Sequence, residues 1–239
     1  MLKRISLLIL AAFLFTSVSC TTVPDVPSPT FPVMKGEVAK FKKGFSIDKD
    51  FDPPVGTLTG NTWDMKNGTV EQTGGKCNND EQGEKVVIWR DNLTIKNGRF
   101  AHWEDGVNLR ARGVKFQNVI FENCEDALNM GEGCEDFTVT KCYFGPHPKK
   151  ESSEQYKADK LIQAAITSGN NIIEDSKFWN AICAIRVGLK KYGSDKHTGV
   201  VVIRDNQFVK ISTAIHEVRG KSKMSNNKFE HVKEEFKKE

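Results

Sequence analysis

The sequence predicts an all-β chain wound as a parallel β-helix, a solenoid, and three observations predict it. First, an octet ending in phenylalanine recurs: LTIKNGRF ends at Phe100, VKFQNVIF at Phe121, FTVTKCYF at Phe144, NIIEDSKF at Phe178, VVIRDNQF at Phe208 and SKMSNNKF at Phe229. Second, the steps between them cluster near one length. Phe100 to Phe121 and Phe208 to Phe229 are 21 residues, Phe121 to Phe144 is 23, and the longer steps of 34 and 30 hold polar insertions. Third, each octet alternates apolar and polar residues, as a half-buried strand does. A repeat of this length is too short for paired helices and marks a solenoid. One such strand cannot bury its face alone, but stacked copies can, each pairing in parallel with the next.

The elements follow in chain order. Residues 1–19 have the shape of an export signal: Lys3 and Arg4, an apolar run from Ile5 to Phe15, then Ser17, Val18, Ser19 and Cys20. The run is too short to span a bilayer. It resembles a bacterial lipoprotein signal, which implies that Cys20 is lipidated and becomes the new N-terminus. Ser17 departs from that pattern, where leucine is usual, and an ordinary cleaved signal is the alternative. Residues 20–35 then form a tether carrying Pro24, Pro27, Pro29 and Pro32, an extended composition. The β-helix domain takes residues 36–239. Lys35 to Phe51 leads into the first strand, and Gly56 to Val70, with TWDMKNGTV, reads as short strands and turns.

From there the octets set the order. A second apolar segment follows most of them: DGVNL from 105, DALNM from 126, DKLIQ from 159, CAIRV from 183 and TAIHEV from 213. Each coil therefore carries at least two strands. Asn97, Asn118, Asp175, Asp205 and Asn226 hold one place in the octet, where such side chains hydrogen-bond along a stack and tolerate a bend. The phenylalanines are expected to stack inside. The tail from Val232 reads as a short helical cap or a frayed end.

The 239 residues carry a formal charge of +4, and Lys3 and Arg4 supply two of those charges. The remainder is too small to argue for nucleic-acid or membrane-surface binding. Five cysteines follow Cys20, namely Cys77, Cys124, Cys134, Cys142 and Cys183. An odd number leaves one thiol over, and a Cys124–Cys134 disulfide across one turn is open.

Aligned second segments put Asp105 and Asp126 in one column, 21 residues apart, with backbones about 4.8 Å apart. Glu125 adjoins Asp126. Like charges this close oppose folding unless a raised pKa or a cation relieves them. Calcium suits such a cluster of oxygen donors; the alternative is three separately solvated turn residues. In the next coil, Lys160 is expected in the column of Gly106 and Ala127, and Arg186 in that of Asn108 and Asn129. A cation stack beside a carboxylate stack is either a surface ion-pair ladder or a site for an extended acidic ligand. Lys149, Lys150, Lys157, Lys190, Lys191 and Lys196 lie in the insertions around it. His102, His147 and His216 are too far apart in register for a triad, and no Ser–His–Asp set or phosphate loop stands out.

These residues carry a resemblance. TWDMKNGTV at 62, EDGV at 104, CEDAL at 124 and KADKLIQ at 157 resemble, in order and spacing, the TFDGKGQTY, ADGVH, GEDAL and KAYDKVFQ of the polysaccharide lyase family 3 pectate lyases. The likeness covers roughly residues 55 to 220. It implies a right-handed parallel β-helix and a calcium-dependent enzyme that cleaves polygalacturonate by β-elimination. It implies calcium at Asp105, Glu125 and Asp126, and functional cations at Lys160 and Arg186. Departures are specific: family lysines fall on Cys183 and Gly131, the histidine of ADGVH falls on Asn108, and an early acidic residue has only Glu81 beside Gln82 as counterpart.

A lysine acts as a base where neighbouring cations and burial ease loss of its proton, whereas arginine keeps its proton and grips carboxylates. Lys160 is therefore the expected base and Arg186 the expected carboxylate clamp. The expectation is an exported bacterial pectate lyase, anchored by lipid to the outer membrane or cell surface, or secreted. It acts as a monomer on acidic polysaccharide, without nucleic acid, and meets membrane only through the anchor. The alternative is a non-catalytic surface β-helix that binds acidic glycans, favoured by the replaced lysines.

Overall fold

The computed structural model describes residues 32–73, 85–103, 105–124, 126–131, 133–146, 160–165, 167–189 and 199–239. The signal, Cys20, most of the tether, Cys77, Glu81, Gln82, Glu125, His147 and the six insertion lysines lie outside them.

The octets wind into a parallel β-helix. Each full coil has three strands, one more than the minimum read from sequence. The octet itself covers two faces: Thr94–Ala101 pairs in parallel with Lys115–Glu122, and the two halves continue into Thr138–Thr140 with Asn170–Glu174, and Tyr143–Phe144 with Lys177–Val187. The third face stacks Phe45–Ile47, Val86–Ile88, Val107–Leu109, Leu128–Met130, Lys160–Ala164, the second half of Lys177–Val187, the second half of Gln207–Glu217 and Glu234–Lys238.

Bends between faces fall where residues tolerate a left-handed backbone. Asn97, Asn118, Asp175, Asp205 and Asn226 all have φ between 49° and 57°, and Lys141 takes the same turn at 53°. Asn118 Nδ2 donates to Asn97 Oδ1 at 3.0 Å, and Asn97 Nδ2 donates to Asp64 Oδ1 at 3.2 Å. A second bend comes two residues after the phenylalanine, at His102, Asn123, Asn180, Lys210 and His231, again with positive φ. His102 is thereby a corner residue.

The phenylalanine column forms as expected. Phe100, Phe121, Phe144, Phe178, Phe208 and Phe229 pair in consecutive register. Their rings stack at 5.6, 4.8, 4.9, 4.9 and 5.3 Å between centroids. Two residues before it runs an interior polar ladder that the sequence reading missed. Ser176 N–H donates to Asn206 Oδ1, and Asn206 N–H donates to Asn227 Oδ1, both at 3.0 Å. Its earlier members are Val119 and Cys142, so the column changes from apolar to polar along the stack. We expect Phe178→Ala, which removes a fully buried ring between two stacked neighbours, to cost about 3–5 kcal/mol, read as a shift in the urea midpoint.

One open alternative closes and one expectation is corrected. Cys124 and Cys134 are not bonded to each other, and both are buried, as are Cys142 and Cys183. The tail is neither helical nor frayed: Glu234–Lys238 is a strand paired with the Gln207–Glu217 strand. Register with an existing edge decides this, since alternation over five residues leaves helix and strand unresolved.

Candidate functional site

The site is built on the third face. Val107 pairs with Leu128 and Asn108 with Asn129, so the 21-residue offset carries Asp105 onto Asp126. The approach is close. A Cβ on Gly106 would lie 2.3 Å from the carbonyl oxygens of both Asp126 and Ala127, and Gly106 has φ +45°. Only glycine fits there. Gly106→Ala is expected to destabilise the chain by about 1–3 kcal/mol and to push the Asp126 segment outward, measured as a lowered melting temperature.

The insertion after Phe144 shifts the next coil by one residue from the expected register. Ile162 pairs with Leu128 and Gln163 with Asn129. Lys160 therefore continues the row of Asp105 and Asp126, not that of Gly106 and Ala127. The likeness of DKL to DAL suggests the other register, whereas the ladder is anchored on the inward apolar residues Leu128 and Ile162. The consequence is direct: Lys160 Nζ lies 2.7 Å from Asp126 Oδ2, with each side chain only 14 % exposed.

Asp105 has its own cation, which sequence reading did not find. Lys85 Nζ lies 3.1 Å from Asp105 Oδ2. Lys85 stands immediately before the Val86–Ile88 strand, one coil back, and that position was the only signal of it. Burial pushes the Asp105 carboxyl above its usual range, Lys85 opposes the shift, and the Asp126 charge adds to it. The row thus holds two carboxylates one coil apart, with one lysine on each.

The neighbouring outward row runs Asn108, Asn129, Gln163, Arg186, His216 and Lys237. Arg186 falls in the column of Asn108 and Asn129, as expected. Asn108 Oδ1, Gln163 Oε1 and Arg186 Nε are buried without a hydrogen-bond partner. Such atoms cost free energy unless another group meets them. Arg186 lies three residues along and one coil beyond Lys160, so their backbones are on the order of 11 Å apart. His216 follows Arg186, with Nε2 3.1 Å from Glu239 Oε1. Burial, and next the Arg186 charge, hold its imidazole below the ordinary histidine range.

The two replaced lysines have different structural outcomes. Cys183 pairs with Lys160 in register; burial pushes its thiol up to about 11, so it brings no charge. At Gly131 a Cβ would meet Arg110 Nη1 at 2.3 Å. The Arg110 guanidinium thus fills the space over Gly131 and returns a cation there from the preceding coil.

The resemblance implies calcium, which takes oxygen donors of the kind two of its expected ligands supply; in the structure each of those carboxylates has a lysine as its cation. Asp105 and Asp126 offer carboxylate oxygens alone, stacked one coil apart, and Asp105 is stressed by its neighbour's charge. Among the described residues no three His, Cys, Asp or Glu side chains converge. Glu125, the third expected ligand, lies outside them.

The family model for a right-handed beta helix region matches residues 84–235, well over half of the chain. No curated protein matches it. The match covers the coils that carry both rows of the site, and with the stacked parallel strands it establishes that the chain belongs to the right-handed β-helix family.

Proposed function

We propose that the chain is a calcium-dependent pectate lyase that cleaves polygalacturonate by β-elimination, exported and held by lipid at Cys20. The β-helix domain is compatible with polysaccharide-active proteins. The observation that carries the finer reading is one row, Asp105, Asp126 and Lys160, in which stacked carboxylates end on a cation at 2.7 Å.

Elimination removes the proton at C5, beside the uronate carboxylate. The C5–H electron pair forms the C4=C5 double bond, the C4–O4 bond breaks, and O4 leaves with a proton from water. Asp105 and Asp126, with Glu125, would hold calcium, which supplies positive charge to the substrate carboxylate and stabilises the developing anion. Lys160 is the base. Its counter-charge in the resting site is Asp126 at 2.7 Å; when Asp126 turns to another cation the ammonium first gives a proton to water, and the neutral amine then takes the C5 proton. Arg186 binds the carboxylate of a neighbouring sugar, and its planar guanidinium suits a two-pronged grip. Arg110 adds charge at the near end of the same face.

The binding-module reading keeps one observation in its favour. Cys183 stands uncharged beside Lys160, where the resembling family has a lysine. One assay separates the two readings. The protein is incubated with polygalacturonate in calcium, then in chelator, and ultraviolet absorbance of the unsaturated product is followed. We expect calcium-dependent growth of absorbance; polymer binding without product at any pH would establish the binding module instead.

A further inference from the structure

The last coil presents an edge that is complementary to itself. Among the described residues, Glu234–Lys238 pairs on one side only, with the Gln207–Glu217 strand, and all five of its residues are exposed. Its sequence is Glu234, Glu235, Phe236, Lys237, Lys238. Laid antiparallel against a second copy and centred on Phe236, it sets Glu234 opposite the copy's Lys238 and Glu235 opposite its Lys237. Every charged position then faces its opposite, twice over. Laid parallel and in register, each charge faces its like, which is unfavourable across a strand pair. Charged edges ordinarily block association; this one blocks open-ended parallel stacking and leaves a closed two-fold pairing available.

The apolar surface agrees. Phe236 ends an inward column whose earlier members Leu128, Ile162, Ile185 and Ile215 are wholly buried, yet it is 37 % exposed. Met224, 42 % exposed, belongs to the same end, where a shallow hollow is lined by Met224, Asn226, Phe229, Glu235 and Phe236. A copy on the two-fold axis brings its own Phe236 onto this one and continues the column across the interface.

We infer that the 239-residue chain forms a two-fold dimer through its Glu234–Lys238 edges, paired antiparallel about Phe236, in place of the monomer that the sequence suggested. The partner is a second copy of this chain. The inference is independent of the proposed activity.

Two single charge reversals test it. Glu235→Lys places lysine opposite lysine at both symmetry-related positions, and Lys237→Glu places glutamate opposite glutamate. Their mixture restores opposite charges at both. The full chain, purified in a mild non-ionic detergent, is measured by light scattering corrected for bound detergent, with circular dichroism to check the fold. The unmodified chain is expected at two-chain mass at micromolar concentration. Each variant alone should dimerise about tenfold more weakly or worse, and an equimolar mixture should regain two-chain mass. As a second measurement, Phe236→Cys should cross-link to its own copy under mild oxidation, because directly opposed residues lie within disulfide reach. One-chain mass for the unmodified chain, a dimer indifferent to both reversals, a mixture that stays monomeric, or Phe236→Cys without cross-link would each overturn the inference.

Discussion

Lys160→Ala is expected to lower the rate of unsaturated-product formation by about 100- to 10,000-fold, the usual loss for a general base. The residue sits at the end of the carboxylate row, one coil beyond Asp126, and its amine is already directed there at 2.7 Å. In the proposed reaction, a cation one coil from the metal would be placed to reach a sugar whose carboxylate that metal holds. The same ion pair makes a second, sharper expectation. On the proposed reading the ammonium and calcium would compete for one carboxylate, so Lys160→Ala should bind calcium as tightly as the unmodified protein or more tightly, while turnover collapses. Without calcium the variant leaves Asp126 uncompensated and should melt lower, since breaking a largely buried pair costs up to about 3–5 kcal/mol; calcium should restore much of that loss. Rates are therefore measured at saturating calcium, with isothermal titration alongside. A variant that keeps most of its rate would move the base elsewhere.

Asp126→Ala is expected to reduce calcium affinity by about 100-fold or more. Removing a partner of a metal ligand typically costs 10- to 100-fold, and Asp126 is read as a ligand itself. It is the central member of its row, with Asp105 one coil before and Lys160 one coil after. Its loss also relieves the charge that helps raise the Asp105 carboxyl, and it leaves Lys160 without its counter-charge at 2.7 Å. Turnover should fall with metal binding and should not return at high calcium. Calcium titration equal to that of the unmodified protein would remove Asp126 from the metal site.

Local pattern made much of the fold legible. Stacking constrains each octet to one register, because a shift by one residue exposes the apolar face, so the phenylalanine column could be read by aligning octets. The bend positions were legible as well: asparagine and aspartate accept a left-handed backbone. Lys141 was not, because its turn is imposed by the coils on either side. The Ser176–Asn206–Asn227 ladder escaped because polar residues at an inward position contradict alternation until their stacked partners are known. The tail strand escaped for a similar reason, having no signature apart from the edge it joins.

For the site, the sequence by itself determined which residue types recur at one-coil spacing: Asp105 with Asp126, and Arg186 in line with Asn108 and Asn129. Spacing suffices for the two aspartates because their coil of 21 residues holds no insertion; Arg186 lies beyond the 34-residue step and was placed by its own apolar segment, CAIRV. The tertiary structure alone decided where Lys160 falls, since the insertion before it breaks the count and only apolar pairing across the gap, Ile162 on Leu128, restores register. It alone paired Lys85 with Asp105 and set Arg110 over Gly131. Those cations act from neighbouring coils, and a charge reaches its partner through space, along a direction perpendicular to the chain in which sequence separation carries no information.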